Sequence, residues 1–243
     1  MPESLASEAH LLASKIQHTL ISNALTRGRW EQHISECREY GFHAAMVPPS
    51  WVKSTSEALR GTGIRTVSWI DFPLGTMTSA IKTCEARHLV EEGAEELDLM
   101  PNVGFLLSGM EKEFFADIAG AVAAAGTRPV KVILELPLLS STERLRAVDL
   151  AIQAGAAYLK NVSGGAVGVA TVEDIRFLRN VAPSSIKIKA SGGIKTTKQV
   201  KELLAAGADL IGSSAGAAII RHFLGVCPQD LYPAETQPGK IVY

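Results

Sequence analysis

The chain alternates short, almost continuously apolar runs with longer stretches in which apolar and polar residues repeat at helical spacing. Apolar runs of this kind are typical of strands in a parallel sheet that is covered on both faces. The alternation therefore predicts successive βα units. The eight predicted strands cover residues 15–20, 42–47, 65–72, 95–100, 130–136, 157–162, 186–191 and 209–214. The predicted helices cover residues 29–40, 51–60, 76–92, 111–125, 142–154, 171–181, 196–206 and 215–223.

Local boundary signals support this count. Thr142 and Thr196 stand where helices are predicted to begin, and threonine is a favoured N-cap residue. A glycine that can adopt the left-handed conformation beyond a helix end precedes every second strand. These glycines are Gly41, Gly93, Gly155 and Gly207, which are separated by 52, 62 and 52 residues, or about two βα units each.

The predicted architecture is α/β: a (β/α)8 TIM barrel that forms a single domain over residues 1–225. An open, doubly wound sheet would show the same alternation, but it would require a glycine-rich first βα turn. The sequence HTLISN, where the first strand ends, offers none. Beyond Gly225 the composition shifts to Pro, Gln and Gly, so residues 226–243 are expected to form a flexible C-terminal tail.

Charge and cysteine content exclude several classes of function. Lys and Arg total 24 and Asp and Glu total 25, so no overall charge would draw the chain to nucleic acid or to an anionic membrane. No run approaches the roughly 18 uncharged apolar residues of a membrane span. Cys37, Cys84 and Cys227 are odd in number and widely spaced, which argues against a disulfide framework and a zinc site and suits a reducing cytoplasm.

Ionisable residues interrupt the predicted strands, although barrel interiors are usually filled by Val, Ile and Leu. Residues two or four apart in a strand share a face. Such pairs are Glu96 with Asp98, Lys131 with Glu135, and Lys187 with Lys189. If these faces point inward, lysines and an aspartate meet near the C-terminal mouth, where barrel enzymes carry out their chemistry. The alternative is that the lysines lie against the helical layer and extend their ammonium groups to solvent.

Lys160 and Lys189 both stand just before small, glycine-containing turns, so both are predicted at strand ends close to the mouth. Two partly desolvated ammonium groups disfavour each other's charge, which can lower a lysine pKa from about 10.4 to about 7 to 8. A neutral lysine attacks an aldehyde or ketone to form an iminium, which acts as an electron sink for the adjacent carbon–carbon bond. The pattern favours a nucleophilic amine at this mouth.

The last two loops have the composition of a phosphate site. Barrels often hold a phosphate in the loops after strands seven and eight, at the N-terminus of a short helix. Glycine allows the backbone N–H groups to approach an oxyanion, and serine adds hydroxyl donors. The candidate residues are Gly192, Gly193, Gly212, Ser213 and Ser214. The alternative is ordinary turn composition, because Gly and Ser are common in loops.

Several sequence blocks are specific in combination. They are FPLG at 72–75 followed by Lys82 and Glu85, GAEELD at 93–98, VKVILE at 130–135, AGAAYLK at 154–160 and KASGGIKT at 189–196. With these blocks, residues 15 to 224 or so resemble the deoxyribose-phosphate aldolase family.

The resemblance implies a role for each member of the lysine and aspartate cluster. Lys160 matches the Schiff-base lysine, Lys189 the second lysine that tunes it, and Asp98 the carboxylate that works with a water in proton transfer. The implied reaction is reversible cleavage of 2-deoxy-D-ribose 5-phosphate to D-glyceraldehyde 3-phosphate and acetaldehyde, without a metal or an organic cofactor. The implied partners are therefore a small sugar phosphate and an aldehyde, and the implied assembly is a homodimer.

Two departures from the family pattern fall beside the expected position of the reacting carbons. Family members usually carry Asp-His-Thr near the end of the first strand, where this chain has Gln-His-Thr at 17–19. After the reactive lysine they carry Thr-Ser-Thr-Gly, where this chain has Asn-Val-Ser-Gly at 161–164. The substrate-binding residues expected here are Gln17, Thr19, Asn161 and Gly164. The acceptor end of the substrate is expected to differ, unless Gln17 points away from the pocket and fills the barrel floor.

Three other functions stay open. A Schiff-base aldolase of the same family could act on a different sugar phosphate or aldehyde. A barrel isomerase or epimerase could use carboxylate acid–base chemistry with Lys160 as an electrostatic aid, and a catalytically silent binding protein could keep the pocket. A metal-dependent aldolase is disfavoured, because His18, His43 and His88 do not form a spaced ligand set with carboxylates. The terminal Tyr243 resembles a tyrosine that reaches the active site in some family members.

Overall fold

The computed structural model describes residues 3–165 and 167–226. Eight parallel strands form a closed barrel in which each strand pairs with the next and the eighth pairs with the first. The predicted barrel is thereby confirmed. The strands are β1 (Ile16–Thr19), β2 (Ala44–Met46), β3 (Arg65–Ile70), β4 (Glu96–Leu99), β5 (Val130–Ile133), β6 (Tyr158–Lys160), β7 (Lys187–Ser191) and β8 (Leu210–Ser213).

A helix follows each strand, as predicted, and together the helices surround the barrel. The sequence pattern missed α1, which precedes the first strand, and α5, which is a short helix in the loop after β4. The helices are α1 (Glu3–Ala13), α2 (Arg27–Tyr40), α3 (Val52–Leu59), α4 (Ser79–Glu91), α5 (Val103–Leu107), α6 (Glu111–Ala125), α7 (Ser141–Gln153), α8 (Val172–Val181), α9 (Thr197–Ala205) and α10 (Gly216–Phe223). Short 3-10 helices occupy Pro49–Trp51 and Leu136–Leu138.

The helix boundaries confirm one predicted N-cap and correct the other. Thr196 caps α9 in a reciprocal capping box with Gln199. Thr142, by contrast, lies inside the first turn of α7, and the N-cap is Ser140, which forms a capping box with Glu143. The prediction chose threonine at the start of the helical periodicity, but the backbone turns helical two residues earlier. The four predicted glycines after helices all adopt positive φ angles: Gly41 (65°), Gly93 (105°), Gly155 (93°) and Gly207 (110°).

Contacts between strands that are not neighbours identify the side chains that point inward. Lys160 on β6 and Lys189 on β7 both reach Asp98 on β4, and Gln17 on β1 reaches Glu96 on β4. Such contacts must cross the barrel interior. Lys160 and Lys189 therefore do not extend through the helical layer to solvent.

Apolar burial is concentrated outside the barrel. The main hydrophobic cluster fills the space between strands and helices and includes Leu97, Phe114 and Ile118. A small separate cluster shares the interior with the polar residues. Its buried members are Ala44, Met46, Val67 and Trp69. The fold is thus held by its outer core, while the interior is available for polar chemistry.

Among the described residues, no helix combines the length and the apolar composition that crossing a bilayer requires. The predicted tail lies outside the described residues apart from Val226, and Cys227 and Tyr243 lie there with it.

Ser140→Ala should lower the free energy of unfolding by about 1 kcal/mol, because it removes the side-chain oxygen that accepts from the backbone N–H of Glu143. Thr142→Ala is the matched control, since Thr142 is exposed on the same turn. The control should change stability by less than about 0.5 kcal/mol. Urea unfolding of both variants measures the difference, and a larger loss for Thr142→Ala would contradict the assignment.

Candidate active site

Asp98 forms the centre of a buried ionic cluster in the barrel interior. Its Oδ2 atom lies 2.9 Å from Lys160 Nζ and 2.6 Å from Lys189 Nζ. Its Oδ1 atom lies 3.4 Å from Lys131 Nζ. The strand register produces this arrangement, because Lys160 is paired with Lys189 between β6 and β7, and Asp98 is paired with Lys131 between β4 and β5. The structure therefore brings together Lys160, Lys189 and Asp98, as the sequence predicted.

Three lysines surround the single carboxylate of Asp98, and their charges, together with burial, shift pKa values within this cluster. Burial alone would raise the pKa of Asp98, but the ammonium groups of Lys160, Lys189 and Lys131 lower that pKa below its usual range. Burial lowers the pKa of Lys189 to about 7; Asp98 opposes this shift, and the neighbouring Lys160 and Lys131 add to it. Lys189 thus loses its proton near neutral pH and can accept one from a neighbour.

Among Asp98, Lys160 and Lys189, only Lys160 keeps any contact with solvent. Lys160 is 3 % exposed, whereas Lys189 and Asp98 are both 0 % exposed. Lys160 stands at the C-terminal end of β6, at the mouth. Lys160 is therefore the residue of this cluster that lies nearest to the solvent at the mouth.

Glu96 organises the floor beneath this cluster. Its Oε2 atom lies 2.7 Å from Lys131 Nζ and accepts a hydrogen bond of 2.7 Å from the Gln17 amide. Its Oε1 atom lies 3.4 Å from Arg65 Nε. Lys131 is shared between Glu96 and Asp98, so the floor and the cluster of Asp98, Lys160 and Lys189 form one continuous ionic network.

Gln17 belongs to the floor by its contacts. Its amide nitrogen lies 2.7 Å from Glu96 and 3.3 Å from His43 Nδ1, and its side chain is fully buried. Burial lowers the pKa of His43 to about 4; the charges of Arg65, Lys131 and Lys189 add to this shift, and Glu96 opposes it. A neutral imidazole and a neutral amide therefore stand beside Glu96. The amide in place of the family's aspartate avoids a second carboxylate at this point, and a substrate contact for Gln17 stays a prediction.

The side-chain amide of Asn161 forms hydrogen bonds with the protein backbone. Its oxygen accepts from the Ser191 N–H at 2.9 Å, and its nitrogen donates to the Ser191 carbonyl at 3.2 Å. The side chain is fully buried and fastens the end of β6 to the end of β7. This second departure from the family pattern therefore supports the two lysine strands, and a substrate contact for Asn161 is likewise untested.

Two loops at the mouth pack closely because both are rich in glycine. Gly192 and Gly193 follow β7 with φ angles of 101° and 66°, and Gly164 follows β6 with a φ angle of 102°. A Cβ atom on Gly192 would stand 3.2 Å from the Gly168 carbonyl oxygen, so a larger residue would be crowded there and strained by the positive φ angle. The expected phosphate loop thus lies directly against the loop that follows Lys160.

The remaining residues expected to bind substrate differ in their surroundings. The Ser213 hydroxyl donates to the Ile194 carbonyl at 2.7 Å and accepts from the Ala215 N–H at 3.0 Å, so Ser213 joins the loops after β7 and β8. Ser214 is exposed at the start of the turn to α10. Thr19, at the end of β1, donates its hydroxyl to the Gln17 carbonyl at 3.1 Å. Gly212 lies under Lys189, because a Cβ atom there would stand 3.0 Å from Lys189 Cε.

A buried ion cluster fixes the opposite side of the mouth. Lys82 of α4 donates to the Gly75 carbonyl at 2.9 Å and to Asp117 at 2.6 Å, and it lies 3.4 Å from Asp71. Asp71 has a φ angle of 52° and accepts from the Met77 N–H at 2.8 Å. These contacts hold the FPLG loop in one position.

Sequence reasoning did not select three further residues of this region. Lys131 and Glu96 each share a strand face with another ionisable residue. This pattern is visible in the sequence and would have been sufficient to include both residues in the predicted site. Glu135 has a φ angle of 50° and accepts from the Ser163 N–H at 3.2 Å and 3.3 Å with its two oxygens. Burial raises the pKa of Glu135. Glu135 thereby fixes the loop after Lys160.

Comparison with known proteins identifies the relatives of this chain. No protein-family model matches the sequence. The deoxyribose-phosphate aldolase of Staphylococcus carnosus is 38% identical over 209 residues, which cover 86% of this chain and 95% of the relative. The enzyme of the same name from Streptococcus pneumoniae is 37% identical over 206 residues, which cover 85% and 94%. The chain belongs to the deoxyribose-phosphate aldolase family.

Solved structures agree with this assignment. An aldolase named QR15 matches with a TM-score of 0.83 and 31% identity over 88% of this chain and 96% of its own. The deoxyribose phosphate aldolase of Aeropyrum pernix, which is described as tetrameric, matches with a TM-score of 0.81 and 29% identity over 92% and 97%. Members of the deoxyribose-phosphate aldolase family are carbon–carbon lyases, so this chain is an enzyme of that class.

The low pKa of Lys189 links stability to pH. The pKa is about 7 in the folded chain and about 10.4 in an unfolded chain. Between these values the unfolded chain binds more protons, so the free energy of unfolding should rise as the pH rises from about 7 toward 10. Urea unfolding at several pH values should show a smaller rise in Lys189→Met than in the wild type. Lys112→Met, on the surface of α6, is the control, and equal slopes in all three proteins would contradict the assignment.

Gln17→Asp should destabilise this aldolase, because it places a second carboxylate beside Glu96 and removes an amide donor. A loss of about 1 to 3 kcal/mol is expected at pH 8. The difference in the free energy of unfolding between Gln17→Asp and the uncharged control Gln17→Met should become smaller at acid pH, where one carboxylate takes up a proton. Denaturant unfolding at both pH values measures this, and a gap that does not depend on pH would show that the carboxylates do not interact.

Proposed function

We propose that this enzyme cleaves 2-deoxy-D-ribose 5-phosphate to D-glyceraldehyde 3-phosphate and acetaldehyde through a Schiff base on Lys160. The observation that carries the proposal is the buried trio in which Asp98 Oδ2 contacts the amines of both Lys160 and Lys189. An isomerase that relies on carboxylates would not need two lysine amines in contact with one aspartate. The names of the relatives support the choice of substrate.

In the proposed first step, the neutral amine of Lys160 attacks the aldehyde carbon of the open-chain sugar. Lys189, with a pKa of about 7, is suited to accept the proton that this amine must lose. Asp98 contacts both nitrogen atoms through the same oxygen, so a proton can move between the two amines over a short path. Loss of water from the carbinolamine then gives the iminium.

In the proposed second step, the iminium accepts the electron pair of the bond between C2 and C3. The C3 hydroxyl loses its proton as glyceraldehyde 3-phosphate leaves, and an enamine of acetaldehyde stays on Lys160. Protonation at C2 and hydrolysis then release acetaldehyde. We assign these proton transfers to a water held by Asp98, because this carboxylate keeps its negative charge beside the lysines.

We assign the sugar phosphate to the glycine-rich side of the mouth. Gly192, Gly193 and Ser214 follow β7 and β8, and α10 begins at Gly216 with its N-terminus toward the same side. Backbone N–H groups at a helix start and in glycine turns attract an oxyanion. We assign Ser213 the role of holding the loop in position, because its hydroxyl already forms hydrogen bonds with two backbone groups.

We also propose that the enzyme is a homodimer, as the family resemblance implies. Sedimentation velocity at micromolar concentration tests this assembly, and a monomer or a tetramer would replace it.

Lys160→Arg should lose at least about a thousandfold in kcat, because a guanidinium stays protonated and cannot form an imine. Borohydride added in the presence of 2-deoxyribose 5-phosphate should trap a covalent adduct on the wild-type peptide that contains Lys160. The variant should give no adduct, while the exposed-lysine control Lys112→Arg should behave as the wild type. An adduct on another lysine, or near-normal turnover by Lys160→Arg, would overturn the proposal.

A further inference from the structure

His18, His33 and Glu36 converge on the outer side of β1, away from the barrel interior. The rings of His18 and His33 stack with their centroids 4.5 Å apart, and His18 Nε2 lies 2.9 Å from Glu36 Oε2. A ligand atom from each residue lies within 4.8 Å of the other two. Both histidines are 3 % exposed, whereas Glu36 is partly exposed, so the cluster has one side open to solvent.

We propose that these three side chains bind one zinc ion, with water as the fourth ligand. Zinc bonds histidine nitrogen and carboxylate oxygen at about 2.0 to 2.2 Å in a tetrahedral arrangement, which requires ligand atoms about 3.3 Å apart. The present distance of 2.9 Å between His18 and Glu36 is close to that value. Zinc binding would require the His33 side chain to move closer, because the ligand atoms of the three residues now lie within 4.8 Å of one another.

The donor set selects the class of metal. Two imidazole nitrogens with one carboxylate suit zinc and its transition-metal neighbours, whereas magnesium and calcium prefer oxygen ligands. Two nearby guanidinium groups, Arg29 and Arg221, act against a cation at this position. The proposed affinity is therefore weaker than that of a closed structural zinc site.

The sequence indicates only part of this site. His33 and Glu36 are three residues apart on α2, so their side chains share one face of the helix. The other ligand comes from β1, fifteen positions before His33 in the chain. The histidines weighed with His18 lie elsewhere: His43 contacts Gln17 in the barrel floor, and His88 is exposed on α4.

The proposed ion would join β1 to α2 and would act on stability. An ion that binds only the folded chain raises the free energy of unfolding as its concentration exceeds Kd. His33 and Glu36 contact none of the residues assigned to aldol cleavage among the contacts of the described chain. His18, by contrast, packs against Gly216 at the start of α10. The zinc test measures binding and stability and does not depend on turnover, so the two proposals can fail separately.

The test uses the full chain after removal of metal with a chelator. Titration with Zn²⁺ against a chromophoric competing chelator should show one equivalent bound, and the same ion should raise Tm, while Mg²⁺ should not. Co²⁺ in place of zinc should give visible absorption bands of a site with mixed nitrogen and oxygen ligands. His33→Asn should weaken zinc binding at least about tenfold, and the exposed control His88→Asn should bind as the wild type.

Three results would overturn the proposal. One is the absence of saturable binding by the wild type, and another is unchanged zinc affinity in His33→Asn. The third is loss of binding in Cys84→Ser, which would assign the zinc to the exposed thiol on α4. Circular dichroism without zinc checks that each variant folds. If His33→Asn does not fold, Glu36→Gln provides the same comparison, because it keeps the size of the side chain and removes the charge.

Discussion

The attraction between Asp98 and three buried lysines is the constraint on which the interior of this barrel depends. An ammonium group without a partner at this depth would be strongly unfavourable, so β4, β5, β6 and β7 must keep the register that brings Lys131, Lys160 and Lys189 to Asp98. Burial, together with the positive charges of Lys160 and Lys131, lowers the pKa of Lys189 toward neutrality. The contacts with Asp98 therefore fix the alignment of the strands, while burial and the neighbouring ammonium groups set the pKa of Lys189.

The cost of a polar interior is offset elsewhere in the fold. The large apolar cluster lies between the strands and the helices, where Leu97 and Ile118 are fully buried, and the barrel interior contributes only a small apolar group. Because the outer core stabilises the fold, the interior can hold charges that would weaken a smaller domain. Glu96 and Lys131 extend the ionic network from Asp98 and its lysine partners to the floor.

Around the mouth, side chains that bond to backbone groups hold the loops in place. Asn161 ties β6 to β7, Ser213 ties the loop after β7 to the loop after β8, and Lys82 holds the FPLG loop. Such contacts tie the loops to the strands that they follow, which is how a fold holds functional side chains in position. Two of these residues, Asn161 and Ser213, form hydrogen bonds with the protein in this way, and the substrate contacts expected of them stay predictions.

The sequence alone determined the eight βα units and placed Lys160, Lys189 and Asp98 in strands, because strand and helix periodicity are local properties of the chain. Whether the lysines point into the barrel or toward the helices was decided by the tertiary structure. The sequence did not determine the N-cap Ser140, the short helix α5 or the partners of Gln17, because these depend on where the backbone turns and on residues far away in the chain. Glu96 is seventy-nine positions from Gln17, yet their side chains meet at 2.7 Å. Only closure of the barrel brings β1 and β4 face to face, and for that reason the tertiary structure decided what Gln17 contacts.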